Sequence, residues 1–189
     1  MRSVASWLLA FSIPIGLILC GQATAKDSSL TVGIKTDCLQ YGIQDRITVN
    51  VALKNQSRSP IVLYGDLGWG ALGGLTLRVS RMDGERVDHD KLDHDMIVPS
   101  TLQEHEYYST LFRNQFIGTS RIEQVQELFP GPGKYKVWAE YLSPVPIGSS
   151  LIKDKFWSME KGMIASSAVV LSITQGSACK KSDQRGRSK

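Results

Sequence analysis

The sequence lacks the short motifs that mark several large classes of enzyme. It has no G-x-S-x-G, the turn that presents a hydrolase serine, no C-x-x-C of thiol redox sites and no H-E-x-x-H of zinc proteases. Beyond residue 25 it has no apolar run of the ~20 residues that a membrane-spanning helix needs. Cysteine and histidine are scarce, with three of each among 189 residues. These absences leave no recognisable catalytic nucleophile and no membrane span after the first segment.

The first 25 residues are typical of an export signal. Arg2 gives a positive start, an apolar stretch of about 16 residues follows, and Ala23 and Ala25 form a small-x-small cleavage site before Lys26. We therefore predict a signal peptide over residues 1–25 and a secreted or periplasmic mature protein with no stable membrane insertion. The alternative is a lipoprotein signal, in which Cys20 becomes the lipidated N-terminus and tethers the protein to a membrane.

Charge is distributed unevenly along the chain. Residues 26–179 contain 16 of the 22 basic residues and 17 of the 18 acidic ones. The remaining charged residues are Arg2, Asp183 and five basic residues among the last ten. The body of the protein is therefore close to neutral, and the sequence pI of about 9.0 arises from residues 180–189. The polar, charged composition of these last residues predicts a disordered basic tail. We predict no nucleic-acid partner.

Two cysteines, Cys38 and Cys179, remain once the signal has been removed. An even pair in an oxidising compartment predicts one disulfide, with two free thiols as the alternative. One cysteine follows the first apolar-alternating segment of the domain and the other follows the last. Both emerge at the same end if the first and last strands are parallel neighbours. Such a bridge closes a loop of about 140 residues and stabilises the fold by up to ~5 kcal/mol.

Apolar residues recur at every second position through most of the mature chain, which is the period of a strand with one buried face. The clearest case is residues 47–53, where Ile47, Val49, Val51 and Leu53 alternate with less apolar neighbours. Similar segments occupy residues 30–34, 61–64, 75–79, 86–88, 135–141 and 169–173. Short, frequent strands with turn residues between them predict an antiparallel sandwich, and residues 26–179 are the length of a single domain.

Two segments depart from this period of two. Residues 151–161 place Ile152, Phe156 and Met159 on one side of a helix, which predicts one short helix in the connection before the last strand. Residues 121–128 carry apolar side chains at a spacing of three to four, and this segment fits a helix and a strand almost equally well.

Three stretches resemble parts of an immunoglobulin-like or fibronectin-like domain. The run from Phe129 to Tyr141, FPGPGKYKVWAEY, is similar to the turn and penultimate strand of such domains, in which a Tyr early in the strand commonly forms a corner. Residues 47–63 resemble the second and third strands, and residues 162–173 resemble the last. The resemblance implies an all-β, antiparallel immunoglobulin-like β-sandwich. It implies a shape rather than an activity, because this fold class hosts many unrelated functions.

All three histidines lie within residues 89–105, and carboxylates flank each of them. His89, Asp90, Asp93 and His94 offer the imidazole and carboxylate ligands that a divalent metal needs. A spacing of five places the two histidines on opposite sides of a strand and about 140° apart on a helix, so that only an irregular loop aims both at one ion. The segment is therefore interpreted as a solvated acidic loop, with a metal site as the alternative.

Gly68, Gly70 and Gly73 match the G-x-G-x-x-G fingerprint of dinucleotide-binding folds. A strand-like pattern follows them, whereas that fingerprint needs a helix whose N-terminus holds the pyrophosphate. The motif is therefore interpreted as an open glycine-rich loop, and we predict no cofactor.

Two long connections between predicted strands carry large aromatic residues and are the candidate ligand-binding loops. They are residues 65–74, with Trp69, and residues 142–162, with Phe156 and Trp157. The sequence as a whole favours a non-catalytic binding or structural module that presents these loops to a protein or glycan partner. The alternative is a divalent-metal-binding protein or metal-dependent enzyme that uses the acidic histidine segment.

Overall fold

The computed structural model describes residues 29–65, 67–70, 73–83, 86–87, 108–145, 156–177 and 179. Twelve strands and one α-helix lie in these ranges. They are β1 (Leu30–Thr36), β2 (Gln40–Gly42), β3 (Arg46–Asn55), β4 (Ile61–Tyr64), β5 (Gly68–Trp69), β6 (Gly74–Arg81), β7 (Arg86–Val87), β8 (Tyr108–Leu111), β9 (Phe116–Gln124), α1 (Val125–Leu128), β10 (Gly133–Tyr141), β11 (Ile164–Ala165) and β12 (Val169–Thr174). Within the same ranges no helix has the length and apolar character that crossing a membrane requires.

The strands form a β-sandwich, as the sequence predicts. One sheet has the order β1-β3-β9, and the other has the order β2-β12-β10-β6-β5, with β11 added to β10 and β7 added to β6. A ribbon of β4 and β8 forms a third, two-stranded unit. Most pairs are antiparallel; among the described strands, β2 with β12 and β5 with β6 are parallel. The fold is therefore all-β and immunoglobulin-like.

The two large sheets share one apolar core. In β3 the buried positions alternate with less buried ones, and the same alternation runs through β10. The inward side chains of both strands belong to a single cluster, which includes Ile47, Val51, Leu53, Val137 and Tyr135. Because each fully buried apolar side chain contributes about 1.5–3 kcal/mol, this shared core is the main source of stability.

The first and last strands are connected differently from the sequence expectation. β1 pairs with β3, and the parallel neighbour of β12 is β2, which follows Cys38 directly. The chain thus leaves one sheet after Thr36, passes through Cys38 and joins the other sheet. The structure contains the predicted disulfide, with the Cα atoms of Cys38 and Cys179 5.9 Å apart. The bridge therefore sits where the N-terminal segment changes sheets.

Two aspartates hold the chain around this bridge. Asp45 accepts hydrogen bonds from the backbone N–H of Gly42 and of Cys179 and from the hydroxyl of Ser177. Asp37 accepts from the Tyr41 hydroxyl at 2.7 Å and from the backbone N–H of Thr48 at 2.9 Å. Burial and this carboxylate together raise the pKa of Tyr41. The end of the sandwich that carries the disulfide is therefore tied by polar contacts as well as by the covalent bond.

Asn55 lies where the β3–β9 ladder gives way to the β4–β8 ribbon. Its side chain is fully buried, and its amide group donates to the carbonyls of Ser59 and Leu111 at 2.9 and 2.8 Å. Its side-chain oxygen accepts from the backbone N–H and the hydroxyl of Ser57, both at 2.8 Å. One amide therefore satisfies the backbone groups that the interruption of the ladder leaves without strand partners.

Tyr135 forms the corner that the resemblance implies. Its hydroxyl donates to the carbonyl of Gly131 at 2.7 Å, and its ring packs against Phe129 with the ring centres 4.9 Å apart. The residue is fully buried at the start of β10. The contact fixes the turn that precedes this central strand.

The helical segments differ in detail from those predicted. Residues 121–128 divide, with strand β9 continuing to Gln124 and one turn of helix, α1, following. In the connection before β12, where the sequence predicts a helix over 151–161, the described part contains a 3-10 turn at Met159–Lys161. Phe156 instead pairs with Val62 of β4 in a parallel bridge. Backbone pairing with β4 holds this residue extended, and residues 151–155 lie outside the described ranges.

Candidate functional site

The two loops predicted to bind ligand converge at one end of the sandwich. β6 begins and β10 ends at this position, and the backbone N–H of Leu142 donates to the carbonyl of Gly74 at 2.9 Å. The chain returns there after residue 155, since the backbone N–H of Trp157 donates to the carbonyl of Val62 at 2.7 Å. We call this region, consisting of residues 62–64, 67–75, 141–145 and 156–158 where described, the loop end.

Trp69, a residue of the loop end, lies at the edge of the sandwich. It lies in β5, the edge strand of the larger sheet, and packs half-buried against the core. The guanidinium group of Arg121 stacks on its ring, 5.5 Å from the ring centre. Arg121 projects inward from β9, the edge strand of the smaller sheet, and pairs with Glu123. Trp69 and this ion pair therefore bridge the two sheets at their open side.

The glycines around Trp69 serve a tight backbone turn. A Cβ atom on Gly73 would lie 2.1 Å from the carbonyl carbon of Gly68, so the two segments approach too closely for a larger residue. Gly70 and Gly74 have φ values of 93° and 81°, in the region that favours glycine. Strand β6 follows this turn directly. The G-x-G-x-x-G pattern is therefore explained by close packing, and the structure has a strand where a dinucleotide-binding site needs a helix.

Trp157 and Phe156 anchor the second loop against the ribbon. Trp157 is 7% exposed, and its carbonyl accepts a hydrogen bond from the Ser143 hydroxyl at 2.6 Å. Phe156 is half-buried. The Trp157 ring therefore belongs to the floor of the loop end, whereas Phe156 and Trp69 each keep part of their surface accessible.

The interior of the loop end is unusually rich in aromatic polar groups. Tyr64 and Tyr108 make an edge-to-face contact with ring centres 5.8 Å apart, and Tyr141 extends the inward face of β10 beside them. Three buried side-chain donors have no well-formed hydrogen bond among the described residues: Nε1 of Trp69, Nε1 of Trp157 and the Tyr141 hydroxyl, which has the Ser143 side chain beside it. Since buried polar groups are nearly always paired, three such donors in one region are a notable concentration.

Tyr141 also has a shifted pKa. Burial raises the pKa of its hydroxyl from 10.0 to about 12. The folded protein therefore favours the neutral phenol, and its contribution to stability is present below pH 10 and lost as the pH rises toward 12. Burial also raises the pKa of Tyr108, with the neighbouring Tyr64 adding to the effect. Both hydroxyl groups are therefore neutral at physiological pH.

A pair of tyrosine variants is expected to separate a satisfied hydroxyl from an unsatisfied one. Tyr135→Phe removes the bond to Gly131 and should lower the free energy of unfolding by about 1 kcal/mol. Tyr141→Phe removes a buried hydroxyl that has no well-formed hydrogen bond among the described residues, so its effect should be neutral or slightly stabilising. Urea denaturation of the two variants measures both values. Equal losses in the two variants would contradict the assignment of Tyr141 as unpartnered.

The predicted metal ligands cannot be placed. His89, Asp90, Asp93 and His94 lie outside the described residues. Among the residues that are described, Asp37, Cys38 and Cys179 form a cluster of potentially metal-binding atoms. Both sulfur atoms of this cluster are joined in the disulfide, which leaves the single carboxylate of Asp37. This cluster is therefore structural.

The sequence interpretation located the loops and missed the tyrosine and serine side chains beneath them. Tyr141 and Ser143 continue the inward alternation of Tyr135, Val137 and Ala139, and Ser143 is fully buried. Polar side chains at the inward-facing positions of a strand were therefore the sequence signal that could have located these buried polar groups. Tyr64, the last residue of β4, is also buried, although it lies in the phase of Val62 rather than that of Ile61 and Leu63.

Comparison with known proteins identifies no family for this chain. No protein-family model matches the chain, and no curated protein sequence is detectably similar to it. Among solved structures, the chain is similar to the CARDB domain of the PF1109 protein from Pyrococcus furiosus. A crystal structure of that domain in complex with di-metal ions shows 12% identity over 77% of this chain and 87% of that one, with a TM-score of 0.35. A solution NMR structure of the same domain shows 12% identity over 78% and 96%, with a TM-score of 0.36.

Proposed function

We propose that the chain is an exported, non-catalytic binding module that engages a protein or glycan partner through the loop end. The observation that carries the proposal is the convergence there of both aromatic loops, each with one partly exposed aromatic side chain. Trp69 of the first loop and Phe156 of the second offer this apolar surface to a partner. Rigid scaffolds commonly present binding residues on loops in this way.

Export supports this assignment. The disulfide forms in an oxidising compartment, and the N-terminal sequence predicts secretion or a periplasmic location, with the Cys20 lipoprotein as the tethered alternative. Aromatic side chains with a polar edge are also the groups that suit sugar rings and protein interfaces, because they combine an apolar face with a hydrogen-bond donor.

Binding of the mature protein to a glycan array and to purified exported proteins tests the proposal. We expect Trp69→Ala and Phe156→Ala, each of which removes partly exposed aromatic surface from the loop end, to weaken binding at least about tenfold. Trp138→Ala is the matched control, because Trp138 lies on the outer face of β10, where its indole donates to Glu140 at 3.0 Å. Binding that tolerates both loop-end changes, or that is lost in the control, would refute a loop-end site.

The metal-binding alternative is tested with the same protein. Zinc, copper and calcium are added separately, and the melting temperature is recorded for the wild type and for His89→Ala with His94→Ala. The binding module predicts no shift, whereas a rise of several degrees that the two substitutions abolish would favour a metal protein.

A further inference from the structure

Two large apolar side chains of β9, an edge strand of the smaller sheet, point away from the core. Phe116 is 68% exposed and Ile122 is 55% exposed, while the inward positions include Thr119, Arg121 and Glu123. Large apolar side chains normally point toward the core, and polar ones toward water. Ile117 packs inward against the core, but the other two large apolar side chains of this strand, Phe116 and Ile122, therefore lie on the outer face.

β9 also has an open edge among the described strands. It is nine residues long and lies at the end of the order β1-β3-β9. Edge strands of this length leave a row of backbone N–H and C=O groups without partners, and proteins usually protect them with charged side chains, inward-pointing charges, proline or short length. The two inward charges of β9, Arg121 and Glu123, neutralise each other as an ion pair. The outward residues of β9 are Phe116, Gly118, Ser120 and Ile122, and none of them is charged.

We infer that β9 pairs antiparallel with β9 of a second copy of this chain, with the two-fold axis passing through Thr119. In this register Phe116 of each copy lies directly opposite Ile122 of the other, which forms two aromatic–aliphatic pairs on the outer face. Such cross-strand pairs stabilise sheets, and Thr119 meets its own equivalent at the axis. The two smaller sheets then join into one continuous sheet with the symmetry of a closed dimer.

The charges at the two ends of β9 complement each other in the same arrangement. Arg113 lies just before the strand and Glu127 lies just after it in α1, both exposed and neither with an ion-pair partner among the described residues. Antiparallel pairing brings the Arg113 end of one copy to the Glu127 end of the other, twice by symmetry. Arg121 and Glu123, the two charges within β9, already pair with each other and face inward. No like charges are therefore placed opposite one another along the paired strands.

Sedimentation velocity of the mature protein from about 1 μM to about 1 mM tests the inference. A single strand pair makes a small interface, so a weak, concentration-dependent dimer is expected. Phe116→Lys and Ile122→Lys should each raise the dissociation constant at least about tenfold. Val170→Lys is the matched control, since Val170 is 49% exposed on β12 of the other sheet, and it should leave the dimer intact.

A charge exchange tests the register. Arg113→Glu and Glu127→Arg should each weaken the dimer, and the double variant should restore it, because the pairs are re-formed with reversed sign. A wild type that remains monomeric throughout, or a dimer that tolerates the two lysine substitutions, overturns the inference. Failure of the double variant to restore association overturns the register centred on Thr119.

Discussion

Replacing Cys38 and Cys179 with serine is expected to lower the free energy of unfolding by roughly 3–5 kcal/mol. The two residues are 141 positions apart, so the bridge closes a loop that spans nearly the whole domain and strongly restricts the unfolded chain. In the larger sheet, the strand that follows Cys38 is short, since β2 contributes three residue pairs to β12. Urea denaturation measures the loss, which corresponds to a melting temperature lower by roughly 10 °C.

Two controls separate the bridge from the side chains. Wild-type protein under reducing conditions should match the double serine variant, and the variant itself should be insensitive to reductant. Local contacts contribute separately, because Asp45 holds the backbone of Cys179 whether or not the sulfur atoms are joined. A double variant within 1 kcal/mol of the oxidised wild type would show that the bridge contributes little to this fold.

Asn55→Ala is expected to cost about 3 kcal/mol or more. The substitution removes a fully buried amide and leaves the carbonyl of Leu111 and the backbone N–H of Ser57 without the partners that the amide supplies. The Leu111 carbonyl lies inside the junction between the β3–β9 ladder and the β4–β8 ribbon, so water does not easily replace this bond, whereas Ser57 is half-buried. The free energy of unfolding from urea titration measures the effect.

Asn50 provides the comparison. Its side-chain oxygen accepts a hydrogen bond from Ser120, but the contact is exposed on the outer face of β3, so Asn50→Ala should change stability by about 0.5 kcal/mol or less. Asn55→Asp should be as harmful as alanine, because a carboxylate cannot donate to the carbonyls of Ser59 and Leu111. Similar effects for the two alanine variants would show that the Asn55 amide does not hold the junction.

The strands that the sequence predicts well are those whose burial alternates. Ile47, Val49, Val51 and Leu53 are all buried in β3, and Tyr135 forms the expected corner at the start of β10. A period of two is sufficient in these strands because one face meets the core and the other meets solvent. The class of fold follows from them and from the turn residues between them.

β9 could not be found by the same rule. Its inward side carries Thr119, Arg121 and Glu123 beside Ile117, and two of its three large apolar residues, Phe116 and Ile122, face outward. Hydrophobic periodicity assumes that apolar residues mark the core, so it left residues 121–128 open between helix and strand, and the structure has the end of β9 followed by α1. The residues that defeat the pattern are the same ones that lead to the proposed dimer.

The candidate site was predictable in its position and only partly in its composition. Long loops with Trp69 and Trp157 indicated the region, but no sequence pattern shows that both loops meet at one end or that Trp157 is buried. The pairing of Val62 with Phe156, which is 94 residues later in the sequence, sets this arrangement. Such long-range contacts depend on tertiary packing that local spacing does not encode.

The intact mass of the exported protein tests the central claim most directly, which is that the chain acts outside the cytoplasm as a disulfide-closed sandwich. We predict a chain that begins at Lys26 and a mass two hydrogens below that of the reduced form, with reduction restoring the difference. An unprocessed chain that starts at Met1, or a mature chain whose mass does not change on reduction, would contradict the claim.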